Sequence, residues 1–438
     1  MSQHHFISYP AKSLRDEIKV PGDKSISHRA VILGAIARGT TTINGFLEGE
    51  DCMATLMAFR QMGVSIEGPI SQRVVIQGVG KYGLKKPSQV IDCGNSGTSM
   101  RLLTGLLAPQ EFDSQLTGDA SLLKRPMERV SRPLSKMGAE ILTNEGKPPL
   151  HIHGGKKLTG LHYDIPEPSA QVKSCLLLAG MYAEGETTIT ETGVTRDHTE
   201  RMLTTFSYPL HKSENEIGIN SDSECIAADI IVPGDISSAA FFIVAATLIP
   251  GSELFIRNVG INPTRTGILQ ILKLMGANIS ILNKRLCGEE PVADLLVKHS
   301  SLEGLDIPVS LVPLAIDEFP IIFIAAAVAK GQTFIHGARE LRVKESDRIG
   351  VMAEGLQILG IDAQPFEDGL FIKGGQLEGG VVDSHHDHRV AMAFAVAGAV
   401  AKQPVTVKNC VNVTTSFPGF VTTANKVGMN IQEVVDEK

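Results

Sequence analysis

The feature that most constrains the fold is an internal repeat. PGDKSISHRAVILGAIARGTTTINGF from Pro21 and PGDISSAAFFIVAATLIPGSELFIRNV from Pro233 share a Pro-Gly-Asp turn, a Ser-rich helix start, an apolar run and a strand-like stretch. Both continue into a second helix that ends at a glycine, Gly63 or Gly276, which provides the left-handed conformation that commonly ends a helix. Looser copies start near Gly94, Pro168, Asp317 and Asp387. We interpret the chain as six α/β repeats of about 70 residues.

These repeats also predict how the chain divides into domains. At 438 residues the chain is too long for one ordinary hydrophobic core. The close match between the copies at Pro21 and Pro233 predicts two domains of three repeats each. We place one at residues 22–233 and the other at residues 1–21 plus 234–438, with a hinge near 20–23 and 232–236. The alternative is that ordinary Ala-rich α/β helices merely look alike, but the repeated Pro-Gly-Asp-x-Ser weakens it.

Charge and cysteine content exclude several classes of function. With 41 basic and 48 acidic residues, a net charge of −7 provides no electrostatic footprint for nucleic acid or an anionic membrane. The chain begins without an apolar signal segment and has no stretch of about 18 apolar residues, so we expect a cytoplasmic protein. Six scattered cysteines without a CxxC pair indicate reduced thiols rather than a zinc site or a disulfide framework.

Polar residues at the starts of apolar helices are the candidates for chemistry, because a helix that is apolar all round is buried and only its ends face outward. Lys24, Ser25 and Arg29 open the first repeat, and Ser25 and Arg29 are four apart, hence on one helical face. A helix start already favours anions, and the two cations make a phosphate site plausible. A solvated basic patch is the alternative.

The second and third repeats begin with smaller polar groups. Asn95 and Gly97 lie in a small-residue loop that lets backbone donors approach a ligand closely. Ser169 and Gln171 start the third repeat, where Ser169 could equally be a helix cap. In TRDHTERM, Arg196 and Arg201 could bind an anion or belong to an exposed salt-bridged helix.

Two further segments combine opposite charges. In RVKESDRI, Lys344 and Arg348 are four apart and Glu345 is three before Arg348, so we expect two anion-binding cations beside a carboxylate on one helical face. An exposed salt-bridged helix has the same spacing.

The segment HHDHR, from His385 to Arg389, contains several potential metal ligands. Adjacent ligands without a distant second cluster fit a zinc site poorly, so we expect no metal.

Taken in order, PGDKSISHR, GNSGT, KRPM, PSAQVKS, RDHTE, IDEFP, RVKESDR, DHR and TSFP closely resemble the 3-phosphoshikimate 1-carboxyvinyltransferase (EPSP synthase) family along essentially the whole chain. The resemblance implies the two-domain enolpyruvyl transferase fold, an inside-out α/β barrel with six βαβαββ-type repeats, whose domains close over the substrates. It implies transfer of the enolpyruvyl group of phosphoenolpyruvate to the 5-hydroxyl of shikimate 3-phosphate, without a metal or organic cofactor, in a protein that we expect to be a monomer.

The resemblance also implies residue roles. Asp317 and Glu345 are the expected acid–base pair, assisted by Lys24 and His388. The residues expected to bind shikimate 3-phosphate are Lys24, Ser25, Arg29, Ser169, Ala170, Gln171, Arg196, Asp317 and Lys344. Those expected to bind phosphoenolpyruvate are Lys24, Asn95, Gly97, Arg125, Gln171, Glu345, Arg348 and Arg389.

Three positions depart from well-known members of the family. Ala170 replaces a second Ser, Glu340 replaces Asn, and Thr415 replaces a Lys, which removes one phosphoenolpyruvate contact. These departures resemble a divergent bacterial branch, some of whose members tolerate the inhibitor glyphosate, whereas Gly97 is the small residue expected of a site with room for glyphosate. The two cues conflict, and we expect glyphosate to bind.

Two other functions fit the sequence less well. UDP-N-acetylglucosamine enolpyruvyl transferase shares the chemistry but uses a mobile loop with a reactive Cys, whereas the corresponding LLKRPMERVSRPL has none and Cys93 precedes a helix start. A non-catalytic repeat scaffold would not need Asp317 and Glu345 among its cations.

Overall fold

The computed structural model describes residues 3–436; residues 1–2 and 437–438, which end the predicted domain of residues 1–21 plus 234–438, lie outside the described residues. The chain forms two compact units. The terminal unit contains the described residues up to Pro21, Pro233–Arg285 and the described residues from Pro291 onward. The middle unit contains Gly22–Val232 and Leu286–Glu290.

The terminal unit opens with two strands, β1 (Gln3–Tyr9) and β2 (Arg15–Lys19). The helices of the middle unit are α1 (Lys24–Ile36), α2 (Glu50–Gln61), α3 (Gly97–Leu107), α4 (Glu128–Lys136), α5 (Ala170–Gly180) and α6 (His198–Thr205). Its strands are β3 (Arg38–Asn44), β4 (Ser65–Ile70), β5 (Arg73–Val79), β6 (Ile91–Asp92), β7 (Ser114–Thr117), β8 (Glu140–Asn144), β9 (Lys147–His153), β10 (His162–Ile165), β11 (Thr187–Glu191), β12 (His211–Lys212), β13 (Glu216–Ile219) and β14 (Ile230–Ile231).

The remaining elements follow in the second half of the chain. The helices are α7 (Ile236–Leu248), α8 (Gly267–Leu274), α9 (Phe319–Val328), α10 (Arg348–Ile358), α11 (His388–Val400) and α12 (Phe420–Lys426). The strands are β15 (Glu253–Gly260), β16 (Asn278–Cys287), β17 (Glu290–Lys298), β18 (Gln332–Ile335), β19 (Asp362–Pro365), β20 (Leu370–Lys373), β21 (Gly380–Asp383), β22 (Val405–Lys408) and β23 (Asn430–Asp436).

The strands between residues 3 and 436 form six open sheets that follow one plan. The orders are β14-β3-β5-β4, β6-β7-β9-β8, β10-β11-β13-β12, β2-β15-β17-β16, β21-β22-β1-β23 and β18-β20-β19. In the first five, the first two strands pair in parallel. The last sheet has two isolated parallel bridges, Glu303 to Lys330 and Asp306 to Phe334, in the place of that outer strand. The predicted α/β fold with six repeats is therefore confirmed.

Helices rather than strands form the interior of each unit. Every residue of α7 is buried, and so is nearly every residue of α9 and α11. The apolar side chains form two separate cores, one in each unit. Because these helices are apolar on all faces, burial on every side is the arrangement that removes most apolar surface from water. Within the described part of the chain, no helix has the length and apolar content needed to span a membrane.

The second helix of every repeat ends in a residue with left-handed backbone conformation. Five of these residues are glycines with φ between 85° and 111°: Gly63, Gly138, Gly276, Gly360 and Gly428. In the third repeat the same position, two residues after α6 ends, is Ser207, with φ 58°. The exposed Ser207 therefore adopts a conformation that disfavours residues with a Cβ atom.

Reciprocal substitutions at this position test its energetic role. Ser207→Gly should raise the free energy of unfolding slightly, because relief of about 1–2 kcal/mol of left-handed strain exceeds the roughly 0.4–1 kcal/mol lost to a freer unfolded chain. Gly276→Ser should lower it by about 1 kcal/mol, since a Cβ at Gly276 has no neighbour closer than 3.4 Å and only the backbone is strained. Urea unfolding followed by circular dichroism measures both, and effects of the same sign would contradict this account.

Candidate active site

Most predicted site residues of the middle unit lie at the starts of α1, α3 and α5, whereas Arg125 lies shortly before α4 and Arg196 shortly before α6. The N-cap side chains Asp23, Ser96 and Ser169 each accept a hydrogen bond from a backbone N–H of the first turn. The capping role that was left open for Ser169 is thus present, with an Oγ–N distance of 3.4 Å to Val172. Ser169 is only half-buried, so capping leaves part of its surface accessible. The three caps fix the helix ends that present the predicted residues.

Gln171 joins the start of α5 to α3. Its Nε2 donates to Thr98 Oγ1 at 2.9 Å, and its Oε1 accepts from Arg101 Nη1 at 2.5 Å. Arg101 is a buried cation that the sequence analysis missed. The available signal was its position four residues after Gly97 in an otherwise apolar helix, the same spacing as that between Ser25 and Arg29.

A second guanidinium lies beside Gly97. A Cβ atom built on Gly97 would be 2.9 Å from Arg101 Nη1 and 3.3 Å from Arg125 Nη1. Arg125 is also buried, and its Nη2 donates to Asn95 Oδ1 at 2.9 Å. The structure therefore brings the predicted residues Asn95, Gly97 and Arg125 together. The missing side chain of Gly97 leaves space beside two cations, an arrangement suited to an anionic ligand.

Arg29 lies on α1 with its guanidinium held by α1, α5 and α6. Nη1 donates to the backbone O of Ser25 at 3.0 Å, Nε to Thr199 Oγ1 at 2.6 Å and Nη2 to Ser174 Oγ at 2.8 Å. Burial lowers the pKa of Arg29 to about 10, against a raising effect of Glu200, and the nearby cation Arg196 lowers it further. Arg29 stays charged at neutral pH, so an anion that binds here meets a fixed positive charge.

Lys24 and Arg201, two other basic residues of the middle unit, each have a carboxylate partner within the protein. Lys24 Nζ lies 2.8 Å from Asp51 Oδ2, a partner on α2 that the sequence analysis did not anticipate. In TRDHTERM, Arg201 Nε lies 2.9 Å from Asp197 Oδ1. Arg196 is half-buried and acts on the charge of Arg29, which favours Arg196 over Arg201 as the ligand-binding cation of this segment.

In the terminal unit, Arg348 is the centre of a buried ionic network. Its guanidinium is 1% exposed. Nε donates to Asp387 Oδ2 at 2.8 Å, Nη2 to Glu345 Oε2 at 2.7 Å and to Asp387 Oδ1 at 3.3 Å, and Nη1 to Asp317 Oδ1 at 3.4 Å. Burial alone would lower the pKa of Arg348, but Asp387, Glu345 and Asp317 raise it overall. These contacts use four of its five N–H groups and leave one on Nη1.

Asp387 anchors this network to α11. Burial acts to raise the pKa of Asp387, but Arg348 lowers it below its usual range. Its Oδ1 also accepts a hydrogen bond from the backbone N of Arg389, at 2.9 Å, and caps α11. Its Oδ2 accepts one from Ser346 Oγ at 3.0 Å. A single carboxylate therefore fixes both Arg348 and the start of the helix that carries His388 and Arg389.

The prediction that Lys344, Glu345 and Arg348 share one helical face is wrong. A 3₁₀ helix covers Arg339–Val343, and α10 begins only at Arg348, so Lys344 and Glu345 lie in the intervening bend. The side chains nevertheless converge, because Lys344 Nζ and Arg348 Nη1 lie 3.5 Å and 3.4 Å from Asp317 Oδ1. Asp317 and Glu345, each less than a fifth exposed at the side chain, thus share the cation Arg348.

Arg389 differs from Arg348 in its contacts. It is 8% exposed, yet across residues 3–436 its guanidinium forms no hydrogen bond or ion pair with a protein group. His388, the first residue of α11, is also buried. A buried cation without a protein partner is costly, so Arg389 is suited to receive a ligand anion.

Of the three divergent positions, Thr415 has the clearest structural consequence. Its side chain is buried, and its Oγ1 donates to the backbone O of Asn412 at 2.7 Å. It therefore presents no charge where a Lys is common.

Within residues 3–436, no group of three His, Cys, Asp or Glu residues is placed to hold a metal ion, and His385 and His386 are exposed while His388 is buried.

The fold defined by these repeats is shared with proteins of known structure. The enolpyruvyl transferase NikO from Streptomyces tendae superposes with a TM-score of 0.82 over 100% of both chains at 16% identity, which shows the fold alone. EPSP synthase from Acinetobacter baumannii superposes with a TM-score of 0.89 at 53% identity, over 99% of this chain and 100% of that chain. The class defined by the fold is therefore that of the enolpyruvyl transferases.

The family is shown by sequence. The profile of the EPSP synthase (3-phosphoshikimate 1-carboxyvinyltransferase) family matches residues 9–423. Proteins named 3-phosphoshikimate 1-carboxyvinyltransferase are 67% identical in Legionella pneumophila (strain Corby), over 98% of this chain and 99% of the relative, and 57% identical in Methylococcus capsulatus, over 98% of both. The chain belongs to the EPSP synthase family.

The UDP-N-acetylglucosamine enolpyruvyl transferase alternative is not favoured. The relatives named above carry the other activity in their names. The chemistry agrees, because Cys93 is 1% exposed and burial raises the pKa of its thiol well above the usual range. A buried, protonated thiol is a poor nucleophile.

Removing the central cation tests the importance of the ionic network. Arg348→Met should lower the free energy of unfolding by about 3–5 kcal/mol, because it leaves Asp387 and its neighbouring carboxylates buried without their cation. Arg339→Met is the control, since Arg339 forms an exposed pair with Glu367 at 3.0 Å and should cost at most about 1 kcal/mol. Equal shifts of the urea midpoint in the two variants would refute the network's role in stability.

Proposed function

We propose that this chain transfers the enolpyruvyl group of phosphoenolpyruvate to the 5-hydroxyl of shikimate 3-phosphate, releasing inorganic phosphate. The observation that carries the proposal is the cluster in the terminal unit: Asp317 and Glu345 both contact Arg348, and Arg389, whose guanidinium has no protein partner among the described residues, follows on α11. Two carboxylates beside cations provide both the proton transfers and the anion binding that this reaction requires.

The chemistry requires a proton donor to C3 of phosphoenolpyruvate and a base for the attacking hydroxyl. Protonation at C3 makes C2 electrophilic, and attack by the 5-hydroxyl oxygen forms a tetrahedral intermediate. Loss of phosphate from C2 and of a proton from C3 then regenerates the carbon–carbon double bond. We assign the C3 proton transfers to Glu345 and the hydroxyl proton to Asp317, with Lys24 and His388 assisting phosphate departure. No oxidation state changes in these steps, so the proposed reaction needs no redox cofactor.

Phosphoenolpyruvate carries a phosphate and a carboxylate, and we propose separate groups for each. Arg389 and the remaining N–H of Arg348 are assigned to the carboxylate, since guanidinium groups match its geometry. Lys24, Asn95, Gly97, Arg125 and Gln171, the predicted set of the middle unit, are assigned to the phosphate. Support comes from the two guanidiniums beside the Gly97 backbone, where even a methyl group would crowd Arg101.

Shikimate 3-phosphate offers a phosphate and ring hydroxyls. In the middle unit we assign Lys24, Ser25, Arg29, Ser169, Ala170, Gln171 and Arg196 to this substrate. In the terminal unit we assign Asp317 and Lys344, whose side chains contact each other at 3.5 Å. The electrostatic coupling of Arg29 and Arg196 supports a phosphate site, because two neighbouring cations repel each other until an anion binds.

We further propose that the protein acts as a monomer in the cytoplasm. All assigned groups come from one chain. The six cysteines are free thiols in the structure, and five of them are buried, as expected in a reducing compartment.

A two-substrate assay tests the proposed activity. Phosphate should be released from phosphoenolpyruvate only when shikimate 3-phosphate is present. Glu345→Gln should reduce kcat by about 10²-fold or more, because a carboxamide cannot exchange the C3 proton, whereas both substrates should still bind. Calorimetry measures that binding. The control Glu378→Gln changes an exposed residue paired with Lys402 and should leave turnover unaffected. Near-normal turnover of Glu345→Gln would remove Glu345 from its assigned role.

Glyphosate provides a test of the phosphoenolpyruvate site. As an anion with a phosphonate and a carboxylate, it should compete with phosphoenolpyruvate for the cations assigned above. Steady-state inhibition should therefore show an apparent KM for phosphoenolpyruvate that increases linearly with glyphosate concentration at constant kcat. An apparent inhibition constant, or a half-inhibitory glyphosate concentration, that does not rise with phosphoenolpyruvate concentration would disprove a shared site.

A further inference from the structure

Two hydroxyl groups of the middle unit surround Arg29 and have no role in the function proposed above. Ser174 on α5 and Thr199 on α6 are each 1–2% exposed. Thr199 Oγ1 accepts from Arg29 Nε at 2.6 Å, and Ser174 Oγ accepts from Arg29 Nη2 at 2.8 Å. The two hydroxyl oxygens are themselves 2.6 Å apart. They therefore occupy one side edge of the guanidinium together.

The hydrogen positions of these hydroxyls follow from a count of donors. Ser174 Oγ lies 2.7 Å from the backbone O of Ala170, a group that can only accept, so the hydroxyl proton of Ser174 points to Ala170. The proton between the two hydroxyls must then belong to Thr199. The result is a continuous chain in which Arg29 donates to Thr199, Thr199 to Ser174 and Ser174 to Ala170. Each hydroxyl donates once and accepts from the guanidinium, so the arrangement is fully satisfied.

An ion pair holds the same two helices together one residue further along. Lys173, next to Ser174, lies 2.7 Å from Oε1 of Glu200, next to Thr199. Lys173 also lies 2.9 Å from Glu191 Oε2, and its side chain is 1% exposed. Because adjacent residues on α5 and α6 are joined by both an ion pair and a hydrogen bond, the two hydroxyls have little freedom to move relative to each other.

The same count of donors shows which N–H groups of Arg29 remain available to a ligand. Of its five N–H groups, Nε–H is taken by Thr199, one N–H of Nη2 by Ser174 and one of Nη1 by the backbone O of Ser25. One N–H on each terminal nitrogen is left. Two parallel N–H groups on the terminal nitrogens are the donor pair with which Arg binds an oxyanion in bidentate fashion.

We propose that Ser174 and Thr199 are positioning residues that hold the Arg29 guanidinium so that its two remaining N–H groups bind shikimate 3-phosphate. The inference rests on the assignment of Arg29 to that substrate under the proposed function. Neither hydroxyl is a catalytic residue, since both act through Arg29. Their loss should weaken binding of shikimate 3-phosphate and leave the chemical step largely intact.

The experiment compares Thr199→Val with Thr199→Ser, which keeps the hydroxyl. The control is Thr104→Val on α3, because Thr104 is equally buried but its Oγ1 bonds only to the backbone O of Met100 in its own helix. The Kd for shikimate 3-phosphate is measured by calorimetry, and kcat and both KM values by phosphate release. Ser174→Ala is the second variant in case Thr199→Val does not fold.

Thr199→Val should raise the Kd and KM for shikimate 3-phosphate about tenfold, the effect of losing a charge-assisted hydrogen bond, with kcat and the KM for phosphoenolpyruvate within about twofold of wild type. Thr199→Ser should restore wild-type affinity. Unchanged affinity in Thr199→Val, an equal loss in Thr104→Val, or no rescue by Thr199→Ser would each overturn the inference.

The binding measurement does not require turnover, which separates this inference from the proposed function. A wild-type protein that binds shikimate 3-phosphate but releases no phosphate would refute the proposed activity, while the Thr199 variants would still decide the role of the hydroxyls. Absence of wild-type binding would overturn both.

Discussion

The constraint on which the structure depends is the burial of one helix per repeat. These helices, of which α7 and α9 are the extreme cases, are apolar on every face and must be surrounded by protein. A helix enclosed in this way can offer polar groups only at its ends. Side-chain caps at Asp23, Ser96, Ser169, Asp235 and Asp387 satisfy backbone N–H groups at five of these helix starts, whereas α9 has no side-chain cap. The position of many candidate site residues at helix starts is therefore a consequence of how the cores are built.

The two units differ in the groups that surround their buried arginine side chains. In the middle unit the guanidinium of Arg29 bonds to neutral groups: a carbonyl and two hydroxyls. Neutral acceptors orient the cation without cancelling its charge, so the charge remains available to an anionic ligand. In the terminal unit Arg348 is enclosed by three carboxylates and holds them in place in turn. The first arrangement leaves the charge of the cation available to an anionic substrate, whereas the second fixes the two proposed acid–base carboxylates and leaves a single N–H of Arg348 for the substrate.

The repeats, the α/β class and the candidate helix starts could be predicted from sequence because they depend on local patterns. Turn residues, helical periodicity and terminal glycines act within a few positions. The partners of the site residues could not, since Asp51 for Lys24 and Thr199 for Arg29 come from other helices. The prediction for Lys344 and Arg348 was wrong because a spacing of four residues indicates a shared face only within a helix, and α10 begins only at Arg348. Ser207 was not predicted for a different reason: the backbone there has the left-handed conformation that ends the other helices, but the residue is not a glycine.

The place of β1 in its sheet affects the order in which the protein can form during synthesis. This strand lies between β22 and β23, which come much later in the sequence. On the ribosome, β1 cannot make these pairings until β22 and β23 have been synthesised. The middle unit needs only residues up to Glu290 and can form earlier. Synthesis thus passes through a stage in which the middle unit can already be folded while β1, whose Phe6 is buried in the finished protein, still lacks both of its neighbouring strands.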